Sequence, residues 1–195
     1  MRIVGGSCRG MRLYTTLPGG HKPDIRPTSS RIRTAIFDSL THSPHGDRIK
    51  GKAVLDLFAG TGAMGLEALS RGAARAVFIE RDRKAAELVR RNIAQLRPDA
   101  PTRILRCDSR SLPRRLADHH DLVFVDPPYA SDLAPIALQR AHRTGWIGPG
   151  SWVVVESRNE TGNPAWVEWV TVRSFGSTVI SIGRVTEQAE PSHEH

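Results

Sequence analysis

Between Ala53 and Glu156 short apolar runs alternate with turns and with segments whose apolar residues fall at helical spacing. The apolar runs are Ala53–Leu57, Ala76–Glu80, Thr102–Cys107, Leu122–Val125 and Trp152–Glu156. They are too short for membrane spans and mostly lack apolar-polar alternation, as expected of strands buried on both faces. The intervening segments read as helices at Met64–Arg71, closed by Gly72, at Arg83–Leu96 and at about Leu133–His142. In the second, Ala85, Leu88, Val89, Ile93 and Leu96 share one face. Strands alternating with helices make βαβ units, and these require a mainly parallel sheet. The alternation ends at two β-prone runs, Trp166–Phe175 and Thr178–Val185, joined across Gly176-Ser177 as an antiparallel hairpin.

The first 27 residues do not belong to that rhythm. Ile3-Val4, Gly5-Gly6 and Met11–Tyr14 suggest a small β-hairpin, and residues 18–27 form a loop rich in Pro and Gly. Thr28 or Ser29 can cap a helix running to about Leu40, with Ile32, Ala35, Ile36 and Leu40 as its apolar face. The expected organisation is a basic N-terminal hairpin and loop (1–27), one α/β Rossmann-like domain with a seven-stranded sheet (28–185), and a polar disordered tail (186–195).

Asp56-Leu57-Phe58-Ala59-Gly60-Thr61-Gly62 stands where the first strand turns into the first helix of that domain. Glycines there let the backbone approach a ligand, and the carboxyl ends of parallel strands are where doubly wound folds bind cofactors. Gly60 to Gly65 also fits the dinucleotide fingerprint, with Glu80 ending the next strand as a ribose ligand would. Asp56 separates the two readings. An acid ending the first strand repels a pyrophosphate and suits a cation such as S-adenosylmethionine, which carries an ammonium and a sulfonium. Glu80 is placed to accept both ribose hydroxyls. Asp108 can accept from an adenine amine, or Asp108-Ser109 can cap a helix.

Asp126-Pro127-Pro128-Tyr129 follows the fourth strand, 64 residues after Gly62. Two prolines fix the turn and remove two backbone donors. The Asp126 carboxylate and the Pro127 carbonyl can then accept both hydrogens of one exocyclic NH2. Such an amine is a weak nucleophile because its lone pair is delocalised into the ring. Two acceptors draw the nitrogen towards a tetrahedral shape, and Asp126 stabilises the positive charge that develops on it. Tyr129 offers a face for the base, a stack worth about 1–3 kcal/mol. The base must leave its helix to enter. Methylation at cytosine C5 would instead need a cysteine nucleophile after a proline; here Ser7 precedes Cys8 and Arg106 precedes Cys107.

Charge points to the partner. The net charge is +8, and residues 1–33 alone carry an excess of six positive charges. Such a distribution favours nucleic acid. Hydrophobic residues at 39% and charged residues at 25% are the balance of a soluble globular chain. Two cysteines make no disulfide framework, and the eight histidines show no metal-ligand spacing. With no apolar run at the N-terminus and no membrane-length stretch, the expected location is the cytoplasm.

These ordered motifs resemble those of class I methyltransferases. Arg9-Gly10, Arg26-Pro27-Thr28 and Arg31-x-Arg33 leading into Ile36-Phe37 narrow the likeness: residues 1–185 resemble the RsmD family of bacterial small-subunit rRNA guanine-N2 methyltransferases. The resemblance implies S-adenosylmethionine as donor, no metal, and a guanine N2 of 16S rRNA as acceptor, within a particle bearing ribosomal proteins. It implies a monomer with cofactor contacts from Arg26 and Thr28 at the methionine end, and from Asp56, Phe58, Gly60, Thr61, Gly62, Glu80, Arg81, Asp108 and Ser109. Arg2, Arg9, Arg12, Lys22, Arg31 and Arg33 would then grip phosphates. The family often has acids near Ser30 and Thr34, where this chain has hydroxyls. Two other readings fit the motifs: an amino methyltransferase of DNA adenine or cytosine, disfavoured by the lack of a separate DNA-reading domain, and a non-catalytic assembly factor, disfavoured by the intact turn at Asp126.

Overall fold

In the computed structural model, the described residues are 1–18, 29–44, 46–115, 118–128, 133–158 and 164–187. The N-terminal arm closes as a narrow hairpin. Ile3 donates to Met11, Gly10 to Ile3 and Leu13 to Met1, with an antiparallel bridge at Arg2 and Arg12. Helix α1 spans Ser30–Thr41 and is capped by the Ser29 hydroxyl, which accepts from the Ile32 amide. Strand β1 (Ala53–Asp56), α2 (Ala63–Ser70), β2 (Arg75–Ile79), α3 (Arg83–Leu96) and β3 (Thr102–Leu105) follow. A 3-10 turn at Ser109–Ser111 precedes β4 (Leu122–Val125), α4 (Leu133–Arg143) and β5 (Trp152–Ser157). The chain ends in β6 (Val167–Phe175) and β7 (Thr178–Val185).

The seven strands form one sheet in the order β3-β2-β1-β4-β5-β7-β6. β3, β2, β1, β4 and β5 run parallel, whereas β7 lies antiparallel to both β5 and β6. The strand order reverses between β1 and β4, and a doubly wound sheet opens a crevice at such a switch. β1, β2, β4 and β5 are buried along almost their whole length, as their unbroken apolar runs require, whereas β3, at one edge, is only partly covered. β7 is also interior, and its Gly183 sits where a Cβ would come 2.7 Å from Val167. β6 is the other edge, with Val170 and Val172 about half exposed.

Side chains alternate across the sheet and build two cores. On one face Val54, Phe78, Leu122 and Phe124 pack against α1, α2, α3 and the arm's Ile3 and Leu13. On the other, Leu55, Val77, Val123, Val125 and Val155 pack against Leu112, Leu138, Trp146 and Ile147. Phe37 on α1 and Phe124 on β4 meet at 5.5 Å between ring centroids. The buried stripe of α1 is Arg33, Ile36, Phe37 and Leu40, rotated from the expected one so that Ala35 is only partly covered. The physical reason is Phe37, whose large ring gains more from burial than the methyl of Ala35.

Candidate active site

The crevice is built at the carboxyl ends of β1, β2 and β4. Asp56 is paired with Phe124 across β1 and β4, so Asp126, two residues further on, stands beside the glycine loop. Asp126 and Pro127 are half-buried and Pro128 is exposed. The loop is stitched to its neighbours: the Leu57 amide donates to the Phe124 carbonyl and the Ala59 amide to the Ile79 carbonyl, each at 3.0 Å. Gly60 and Gly62 adopt φ of 55° and 79°, in the left-handed region that favours glycine. Gly65, one turn into α2, lies so close to β2 that a Cβ would come 2.4 Å from the Phe78 ring. The fingerprint spacing therefore reports a tight turn and close helix-strand packing.

Asp56 is only 1% exposed and lies beneath the loop. Its carboxylate accepts from the Gly65 amide at 3.2 Å, so it also holds the first turn of α2. Burial pushes it up to about 7; the Glu80 charge adds to the shift, and the amides of Gly65 and Phe58 oppose it. Glu80 bridges the Gly60 amide at 2.9 Å and the Asp82 amide at 2.8 Å through its two oxygens. Each of those oxygens retains a second lone pair. Two neighbouring acids under a glycine turn create a negative site that suits a cation and disfavours a pyrophosphate. The residues present thus fit S-adenosylmethionine.

The other expected residues fall in different settings, and Asp108 takes the capping role, one of the two open to it from the sequence. Asp108 serves as the cap of the 3-10 turn, accepting from the Arg110 amide, and it is gripped by the Arg110 guanidinium at 2.6 Å. That side-chain hydrogen bond holds its carboxyl down at about 2. Ser109 is buried, Phe58 half-buried, Thr61 buried, and Arg81 exposed at 3.9 Å from Asp108. Arg2, Arg9, Arg12 and Arg31 are exposed. Arg33 is not: it is wholly buried, which removes it from any phosphate-gripping surface. Its position one turn before Ile36 and Phe37 carries it into the core. There it faces the buried Glu67 at 3.8 Å and donates to the Arg2 carbonyl. Arg26, Thr28, Lys22 and Tyr129 lie outside the described residues, as does most of the expected tail.

Two functional groups escaped the sequence reading. Glu67 is fully buried on α2 and accepts from the Val4 amide at 2.8 Å, tying the arm to the domain. Asn92 is fully buried on α3 and bonds both Tyr14 of the arm and Thr61 of the loop. The signal for Asn92 was present: it falls on the apolar face of α3 between Leu88 and Leu96, where a polar residue needs partners. Cys8 and Cys107 are both free, and burial raises the Cys107 thiol, with Asp108 adding to the shift.

Comparison with known proteins extends the picture from the site to the chain. The family model described as conserved hypothetical protein 95 matches residues 1–184. The chain is 36% identical over 164 residues to ribosomal RNA small subunit methyltransferase D of Escherichia coli strain K12, covering 84% of this chain and 78% of that protein. It is 27% identical over 184 residues to the protein of the same name from Haemophilus influenzae, covering 93% and 91%. Among solved structures, a candidate methyltransferase from Escherichia coli superposes with a TM-score of 0.81 at 32% identity, covering 96% of this chain and 99% of that one.

Proposed function

The chain belongs to the RsmD family of methyltransferases, and from that premise we propose that it methylates the exocyclic N2 amine of a guanine in 16S rRNA, with S-adenosylmethionine as donor. The observation that supports the reaction most directly is the placement of Asp126-Pro127 beside a glycine loop underlain by Asp56 and Glu80. The substrate is inferred from the relatives' names together with the basic arm.

In this reading Glu80 holds the ribose hydroxyls, and Gly60, Thr61 and Gly62 line the cofactor's path. Arg26 and Thr28 close over its methionine end. Bound there, S-adenosylmethionine supplies an electrophilic methyl group. The chain supplies the rest. A flipped-out guanine rests on Tyr129, and its N2 hydrogens are accepted by the Asp126 carboxylate and the Pro127 carbonyl. As the nitrogen gains positive charge, Asp126 offsets it, and the acidic product nitrogen gives up its proton without a strong base. Pro128 keeps the turn rigid, so the two acceptors need not reorganise. Arg2, Arg9, Arg12, Lys22 and Arg31 grip the rRNA backbone of a small-subunit particle bearing ribosomal proteins, and the protein acts there as a cytoplasmic monomer.

The test is Asp126→Ala. Its expected behaviour is normal binding of S-adenosylhomocysteine by calorimetry and a loss of rRNA methylation of roughly a hundredfold or more, the scale for losing one preorganised charge-stabilising group. Near-normal turnover would sink the mechanism. Mass spectrometry of rRNA from a strain lacking the protein tests the base: one guanine should lack an N2 methyl.

A further inference from the structure

Asn92 stands among Ala85, Leu88, Val89 and Leu96 on the buried face of α3, with its side chain closed off from water. A primary amide has an acceptor oxygen and two donor hydrogens on nitrogen. Here the oxygen accepts from the Tyr14 amide at 2.7 Å, and the nitrogen donates to the Tyr14 carbonyl at 3.1 Å and to the Thr61 carbonyl at 2.8 Å. The first two bonds clasp both backbone groups of one arm residue, as a neighbouring β-strand would. The third reaches the peptide between Thr61 and Gly62, inside the turn that carries the positive φ angles. Among the described residues no other hydrogen bond joins the arm to the glycine loop. The arm's other bonds to the domain go to α2, from Val4 to Glu67 and from Gly5, Ser7 and Cys8 to Ser70, and to α1, where Arg33 donates to the Arg2 carbonyl.

The arm surface above this clasp is suited to nucleic acid. Tyr14 is 43% exposed, and the Arg91 guanidinium lies 4.7 Å from the centroid of its ring. Arg12, two residues earlier, is exposed. A base can stack on such a ring, with cations beside it for the flanking phosphates. A strand held there fixes the backbone of Tyr14, and the other side of the same amide fixes the carbonyl of Thr61.

We infer that Asn92 is a positioning residue that couples RNA binding on the arm to cofactor binding in the glycine loop. The inference rests on the function proposed above. RNA on the arm narrows the motion of Tyr14; the Asn92 amide then holds Thr61 in the turn that a cofactor meets. By linkage the effect is reciprocal, so the cofactor tightens RNA to the same degree.

The experiment measures the affinity of the full chain for S-adenosylhomocysteine by calorimetry, with and without a saturating small-subunit particle assembled on unmodified 16S rRNA. The wild type should bind about fivefold or more tightly with the particle, within the usual range of coupling between sites. In Asn92→Ala that ratio should fall to within about twofold of one, whatever happens to each affinity separately. Tyr14→Pro, which deletes the arm's donor to Asn92 together with the exposed ring, should lose the ratio too. Rescue is expected from neither Asn92→Asp nor Asn92→Leu, because both lack the paired donors. A wild-type ratio near one, or an unchanged ratio in folded Asn92 and Tyr14 variants with weaker binding overall, overturns the coupling and leaves Asn92 a structural brace. No binding of the particle by the wild type overturns the functional reading itself, and the coupling with it.

Discussion

Arg33 is a guanidinium in a place without water. Burial lowers its pKa, the Glu67 charge opposes that shift, and its Nε and Nη1 have no hydrogen-bond partner. The charge is tolerable because Glu67 faces it, and Glu67 in turn holds Arg71 at 2.9 Å and the Val4 amide. Removing one partner of a buried pair strands the other, at a cost of about 3–5 kcal/mol. Glu67→Gln should therefore lose stability on that scale in denaturant unfolding. Arg33→Met combined with Glu67→Leu should recover only part of it, because Arg33 is no longer stranded but Arg71 and the Val4 amide still lose their acceptor. A Glu67→Gln variant as stable as the wild type would show that the pair contributes nothing. Arg33 also marks what the sequence concealed at this scale. A charged residue in a basic arm reads as surface, and only its phase with Ile36, Phe37 and Leu40 places it inside. Asn92 hid for the same reason, since its partners lie 78 and 31 residues away.

At the scale of elements the sequence was informative, because period and punctuation are local. α3 runs from Arg83 to Leu96 and β4 from Leu122 to Val125, as their patterns require, and Asp82 caps α3 through the Ala85 amide. The position of β7 between β5 and β6 was not local information. It depends on a glycine at 183 that lets the hairpin close on Val167. The arm is the element whose role is most exposed to test. It is held by α2, by Asn92 and by Arg33 of α1, and it carries Arg2, Arg9 and Arg12 on its surface. Deleting residues 1–20 should abolish rRNA methylation while S-adenosylhomocysteine still binds in the absence of RNA. The salt dependence of any remaining RNA binding should also flatten, because phosphate contacts are lost. Unchanged rRNA turnover in that truncation would refute the arm's part in substrate binding.

Across the whole molecule two buried titrations oppose each other. Asp56 lies under the cofactor loop on one core, and His120 lies beside the other, stacked on Trp146 at 5.7 Å with Nδ1 at 3.1 Å from the Trp146 carbonyl. Burial pushes Asp56 from 3.8 up to about 7, so between those pH values the folded protein holds a proton that the unfolded chain has released. Stability from this group falls as pH rises through that window. Burial pushes His120 from 6.5 down to about 4, the Trp146 hydrogen bond opposing and Arg115 assisting. Here the unfolded chain holds the extra proton, so stability from this group is complete above pH 6.5 and is lost as pH falls towards 4. The two slopes have opposite signs over nearly the same range. Their sum is a wild-type protein whose unfolding midpoint in urea changes little from these groups between pH 4.5 and 6.5. Each substitution should uncover the other slope. Asp56→Asn should gain stability with rising pH over that range, and His120→Gln should lose it. Parallel pH profiles for wild type and both variants would mean that neither group titrates differently in the folded protein. A cation bound above Asp56 should favour its charged form. S-adenosylmethionine should then stabilise the wild type more as pH rises through about 7, and stabilise Asp56→Asn equally across that range.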